Sequence, residues 1–154
     1  MHRGRLSGGI MPTEDFPAEP DLAEALGVLG RRLLTLEEPI LRDAGVSMWE
    51  YAILTTLLRG GAVSQVELSR RTGRDTTRLG KHLAELESRG LIAREQADDA
   101  RRRIVAATAD GADVQQRAKQ EIRAAEDALL AARLSDEEAA TLRRLLARLL
   151  PDQP

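Results

Sequence analysis

The stretch "RTGRDTTRLGKHLAELESRGLI", residues 71–92, decides the fold. It opens on turn residues, sets Leu79, Leu83 and Leu86 at helical spacing, and closes on Arg89-Gly90. Asp75 is a suitable N-cap, and Gly90 suits the left-handed position past a helix end. With Leu79 at zero and about 100° per residue, Leu83 and Leu86 fall within about 40° of it. Thr77, Lys81 and Ser88 fall on the opposite side, with Arg78 and Glu85 on the flank. The helix therefore turns leucines inward and a hydroxyl-and-cation face outward.

On either side of it the chain carries three S-x-x-E signals: Ser47 with Glu50, Ser64 with Glu67, and Ser135 with Glu138. In each, the serine can accept from a first-turn amide while the glutamate reaches back to the serine amide. They predict helices from about Ser47 to Leu58, Ser64 to Thr72 and Ser135 to Leu150, the first ended by Gly60-Gly61 and the second by Gly73. Before them, Leu22, Leu26, Leu29, Leu33 and Leu36 mark a first helix with Asp21 as its N-cap. Pro39 is expected to kink or break it, leaving a short continuation through Ile40 and Leu41 to Gly45. After Gly90 the period changes. "LIARE" and "RRIVAAT", separated by "QADDAR", predict a two-stranded hairpin. A helix from about Asp110 to Ala132 follows.

Composition agrees with a helical core. The 154 residues include only Phe16, Trp49 and Tyr51 as aromatics, so Leu, Ile, Val and Ala must fill the interior. Without cysteine there is no disulfide, thiolate metal site or thiol switch, and His2 and His82 alone cannot build a usual zinc site. No nucleophile elbow, phosphate loop or paired acid motif is present, which argues against an enzyme and against a cofactor. No apolar run approaches a membrane span, and residues 1–20 lack the apolar core of a signal peptide. They read as a disordered tail, with Met11 an alternative start, and the expected location is cytoplasmic. The net charge of −2 hides an uneven distribution. Residues 64–108 carry 10 basic and 7 acidic side chains, whereas residues 1–63 carry 6 and 9 and residues 109–154 carry 7 and 9. Positive charge is concentrated in the middle third, the local footprint of a polyanion site.

Two short helices joined by a glycine turn and followed by a hairpin make a winged helix-turn-helix. The expected class is mainly α with a small β-hairpin wing, flanked by N- and C-terminal dimerisation helices. Asp75, Thr76, Thr77, Arg78 and Lys81 are the candidate DNA-facing residues of the recognition helix. Their hydroxyls and cations suit the acceptors of the major groove and the phosphates beside it. Asp99, Arg101, Arg102 and Arg103 form the candidate wing, where arginines can enter a minor groove or clamp phosphates; a solvated charged turn is the alternative. Gly80 costs about 1 kcal/mol of helix propensity. Either it lets the duplex come close, or it packs against a neighbouring helix.

Three pieces carry a family resemblance: "VELSRRTGRDTTRL", "LAELESRGLIARE" and "DDARRRIVAATADG", the last with Asp99, Arg101, Thr108 and Gly111 in the usual places. Residues 47–112 resemble the core of the multiple-antibiotic-resistance-regulator (MarR) family of bacterial transcription factors, and the likeness extends over roughly residues 21–150. Ala100, Ala107 and His82 depart from the usual pattern, His82 standing where an aliphatic residue is common. The resemblance implies a homodimer reading a palindromic operator in double-stranded DNA. It implies a dimerisation helix in residues 21–46, a winged domain in 47–109, dimerisation helices in 110–150 and a tail in 151–154. It also implies a repressor relieved by a small organic effector between the two layers, with Trp49 as a stacking candidate unless that residue is simply core. The alternative of another class is a winged-helix protein–protein adaptor, against which the basic, threonine-rich face argues.

Overall fold

The computed structural model describes residues 19–96 and 103–150. Helix α1 (Leu22–Asp43) leads into α2 (Met48–Gly60), a short strand β1 (Val63–Ser64), and the pair α3 (Gln65–Thr72) and α4 (Thr76–Ser88). Strands β2 (Ile92–Gln96) and β3 (Arg103–Ala107) follow, then α5 (Ala109–Ala131) and α6 (Asp136–Leu149). This is the mainly helical winged helix-turn-helix that the sequence implies.

Local chemistry sets most boundaries. Ser47 and Ser135 each form the full reciprocal capping box, with Glu50 and Glu138 reaching back to the serine amide at 2.8 Å. At Ser64 only half of the box forms. Its hydroxyl accepts from the Glu67 amide at 3.2 Å, but the Glu67 carboxylate turns away to Arg70 and Arg71, 2.7 Å from each. Those two cations on its own helix outcompete a single amide. They also hold the Glu67 carboxyl down at about 2, chiefly through the Arg70 hydrogen bonds.

Two expectations are corrected. First, α1 runs unbroken through Pro39 to Asp43. Pro39 is exposed, so the carbonyl it leaves without an amide can be hydrated, while Leu41, only 2% exposed, anchors the last turn in the core. Second, the expected two strands, β2 and β3, pair as a wing but gain a third, making an antiparallel sheet in the order β1-β3-β2. Val63 pairs with Val105 and Ser64 with Ile104, while Ile92 to Gln96 pair with Ala107 to Arg103.

The core lies between α2, α3, α4 and the sheet. Ile53, Leu54, Leu68, Leu79, Leu83 and Leu86 are fully buried, each such side chain contributing about 2 kcal/mol relative to exposure. Below it α1 packs on α5 and α5 on α6. Here burial is poor: Leu22, Leu26, Val28 and Leu34 of α1 remain exposed, as do Leu145 and Leu149 of α6 and Leu150 after it.

The join between α4, β2 and α5 depends on Thr108 and Gly111. The Thr108 hydroxyl caps α5 by accepting from the Gly111 amide at 3.1 Å and donates to the Gly90 carbonyl at 2.7 Å. The Thr108 amide donates to the Leu91 carbonyl at 3.1 Å. Gly111 lies so close to that same carbonyl that a Cβ would stand 2.0 Å from its oxygen. The Thr-x-x-Gly pattern thus clamps the base of the wing to the turn after α4.

Candidate nucleic-acid interface

The candidate recognition helix is α4. Asp75 is its N-cap, accepting from the Arg78 amide at 3.0 Å, and that bond first, then the Arg78 charge, lowers its carboxyl below the usual range. Thr76, Thr77, Arg78 and Lys81 are all exposed, Thr77 and Lys81 on the side opposite the buried Leu79, Leu83 and Leu86 and Arg78 on the flank. Arg78 lies 3.5 Å from the Asp75 carboxylate, an exposed pair that holds the guanidinium loosely. From α3, the Gln65 side chain donates to the Thr76 carbonyl at 3.3 Å and so braces the first turn of α4. A Cβ at Gly80 would meet only that side chain, at an ordinary 3.5 Å. No intramolecular contact therefore requires glycine at this position.

Of the wing candidates, Asp99, Arg101 and Arg102 lie outside the described residues, and Arg103 opens β3 opposite Gln96. Trp49, at the start of α2, is 40% exposed, with the Arg74 guanidinium 3.9 Å from its ring centroid. It is not core, nor does it line the nearby cavity of about 650 Å³ whose walls include Leu34, Glu38, Leu41, Arg42, Val46 and Met48.

Sequence reasoning missed two arginines that fasten α4. Arg74, in the turn before the helix, hydrogen-bonds His82 Nε2 at 3.3 Å while it covers Trp49. Arg89, at the other end, donates to the Gly45 carbonyl and to the Glu50 carboxylate, which is only 7% exposed. Neither arrangement has a local sequence signal, since Trp49 lies 25 residues before Arg74 and Glu50 lies 39 before Arg89. Glu50 thus serves both the capping box of α2 and the end of α4.

Glu50, His82 and Glu85 bring potential metal-ligand atoms within 4.8 Å of one another. Protein partners already occupy Glu50 and one His82 nitrogen. One Glu50 oxygen receives the Ser47 amide and the other Arg89. Arginine can only donate, so in this contact His82 Nε2 accepts, while Nδ1 faces the Glu85 carboxylate at 4.0 Å. No described helix is long and apolar enough to cross a membrane.

A capped helix with an exposed cationic face, braced by a second helix and backed by a three-stranded wing, defines a winged helix-turn-helix of the DNA-binding class. Residues 44–103 match the model described as MarR family. The fold around it agrees. The apo crystal structure of wild-type MarR from E. coli superposes with a TM-score of 0.78 at 22% identity, over 88% of this chain and 100% of that one. An E. coli MarR mutant complexed with operator DNA gives 0.67 at 23%, over 84% and 94%. A Mycobacterium tuberculosis MarR family protein in complex with salicylic acid gives 0.72 at 26%, over 86% and 98%. No curated protein sequence matches the chain.

Proposed function

We propose that the protein is a homodimeric transcriptional repressor whose α4 reads the major groove of a palindromic operator and whose release is driven by a small organic effector. The observation that carries this is the outward face of α4. Thr76, Thr77, Arg78 and Lys81 are exposed on a helix whose leucine side is fully buried, which turns hydroxyl and cationic donors to solvent, held at most by the loose Asp75–Arg78 pair. Asp75 contributes by orienting the first turn rather than by touching phosphate. Asp99, Arg101, Arg102 and Arg103 belong to the wing by sequence and supply the second contact. Residues 47–109 form the reading domain.

The dimer follows from the apolar surface of residues 21–46 and 110–150. Exposed Leu22, Leu26 and Val28 at one end of the chain and Leu145, Leu149 and Leu150 at the other form the kind of apolar surface that a second copy covers. Two-fold symmetry then sets the half-sites about 34–36 Å apart. The cavity between α1 and the start of α2 is the effector site that the walls favour. Leu41, Val46 and Met48 offer an apolar face and Arg42 a cation, a combination suited to an aromatic carboxylate of the kind held by the M. tuberculosis relative. A 1–3 kcal/mol preference of such a ligand for the DNA-incompetent form shifts occupancy about 5–150-fold.

A salt titration of binding to the promoter DNA flanking its own gene tests the reading, comparing wild type with R78A/K81A. Wild-type affinity should fall steeply with salt, because each phosphate contact releases counterions. The double variant should bind weakly and with a shallower slope. Binding untouched by the two substitutions removes α4 from the interface; no binding even at low salt favours a protein–protein adaptor.

A further inference from the structure

We infer that Arg74 is a positioning residue that sets the rotation of the recognition helix through a Trp49–Arg74–His82 bridge, an inference that rests on the proposed DNA reading. Arg74 is fixed at its backbone from both sides. Its amide donates to the Ser69 carbonyl at 3.2 Å, and its own carbonyl accepts from the Ser69 hydroxyl. The side chain therefore leaves the turn from a defined point. Its guanidinium lies over the Trp49 ring of α2, 3.9 Å from the ring centroid, and its Nη2 reaches His82 Nε2 at 3.3 Å. One planar cation thus joins the start of α2, the turn and the second turn of α4.

The lever arm explains why this matters. His82 follows Lys81 and lies four residues after Arg78, on the flank between the buried leucines and the exposed cations. Leu79, Leu83 and Leu86 determine which side of α4 faces the core, but an aliphatic stripe packs tolerably over a range of small rotations. A directional hydrogen bond at the edge of that stripe narrows the range, and so fixes where Arg78 and Lys81 point. Stacking on the indole keeps the guanidinium plane in place and partly desolvated; the Arg74 Nε is buried and makes no other bond. Lysine cannot substitute, since it lacks the planar fork that stacks and donates at once.

The chain carries its own reporter, because Trp49 is its single tryptophan. The experiment measures tryptophan emission and salt-dependent binding to the same promoter DNA for wild type, R74A, R74K, H82A and H82Q, with R74A/H82A completing a cycle. R74A should alter emission of the free protein and weaken binding 5- to 30-fold, about 1–2 kcal/mol, with the slope of log affinity against log salt unchanged. H82A should weaken binding similarly. H82Q, whose amide oxygen can accept from Arg74, should bind close to wild type. The penalties of R74A and H82A should not add, and R74K should not rescue.

A slope lowered by about one unit in R74A would mean that Arg74 contacts a phosphate directly, and the bridge would be overturned. Altered emission with unchanged affinity would leave Arg74 a structural role only and overturn it equally. If R74A does not fold, H82A against H82Q decides alone: equal affinities refute the bridge. A wild type that binds no DNA removes the proposed function and this inference with it, a result distinct from all the others.

Discussion

Replacing Gly111 by alanine tests the packing logic of the whole winged domain. The added Cβ would stand 2.0 Å from the Leu91 carbonyl oxygen and 3.2 Å from Leu54 Cδ2. An ordinary carbon–oxygen approach is about 3.3 Å, so helix α5 and the turn after α4 must separate by roughly 1.3 Å. The Leu91 carbonyl cannot yield alone, because it already accepts from the Thr108 amide at 3.1 Å and follows Gly90, whose own carbonyl holds the Thr108 hydroxyl at 2.7 Å. Overpacking of this kind costs about 1–3 kcal/mol. Weakening one or two of the flanking hydrogen bonds adds about 1 kcal/mol each. Against this stands a gain of about 1 kcal/mol for alanine over glycine within a helix. The net loss is about 1–4 kcal/mol, a sizeable share of a domain's typical stability of about 5–15 kcal/mol. Urea unfolding followed by helical circular dichroism, at one fixed protein concentration for both variants, should show a clear fall in midpoint. The melting temperature should drop by roughly 5–15 °C. An unchanged or raised midpoint would refute the close approach of Gly111 to Leu91 and the clamp built on it.

At Gly80 the same substitution should act in the opposite sense. A Cβ there meets only Gln65 Nε2, at 3.5 Å, so Gly80→Ala should raise stability by up to about 1 kcal/mol, read from the same urea curves. If its DNA affinity falls while its stability rises, the glycine serves the approach of the duplex. Acid should reveal Glu67, whose carboxyl sits at about 2 in the folded chain against 4.5 ordinarily, first through its hydrogen bonds with Arg70. A depressed carboxyl stabilises the fold above its unfolded value and loses that effect as pH falls through about 2. The stability difference between wild type and Glu67→Gln, followed by unfolding at stepped pH, should thus be constant near neutrality and shrink as pH falls below about 4.5. A difference that grows on acidification would contradict the sign.

What the sequence made legible was local. Asp75, Ser47 and Ser135 announce their helices because a cap needs only three neighbouring residues, and Gly73 and Gly90, both at positive φ, announce where the helices stop. The inward leucines of α4 follow from periodicity alone. Strand β1 was not legible. Two residues have no period, and Val63 and Ser64 become a strand only because Val105 and Ile104 lie opposite. Pro39 misled for a related reason: the local rule is a helix break, and the tertiary anchoring of Leu41 overrides it. Among site residues, the exposed row Thr76, Thr77, Arg78 and Lys81 could be read from one helix. The partners of Arg74 and Arg89 could not, since a salt bridge to Glu50 or a stack on Trp49 joins segments far apart in the chain.

Ser64 and Gln65 are consecutive, and between them they tie two structures together. Ser64 pairs with Ile104 of β3 and also caps α3, while Gln65 holds the first turn of α4 through the Thr76 carbonyl. The base of the wing and the head of the recognition helix are therefore cut on one key. Under the proposed reading, their teeth keep a constant phase along the duplex. A target in which the two contacts are offset by one base pair, about 3.4 Å, is not reached by sliding one tooth past the other. The whole blade must turn, and every contact turns with it.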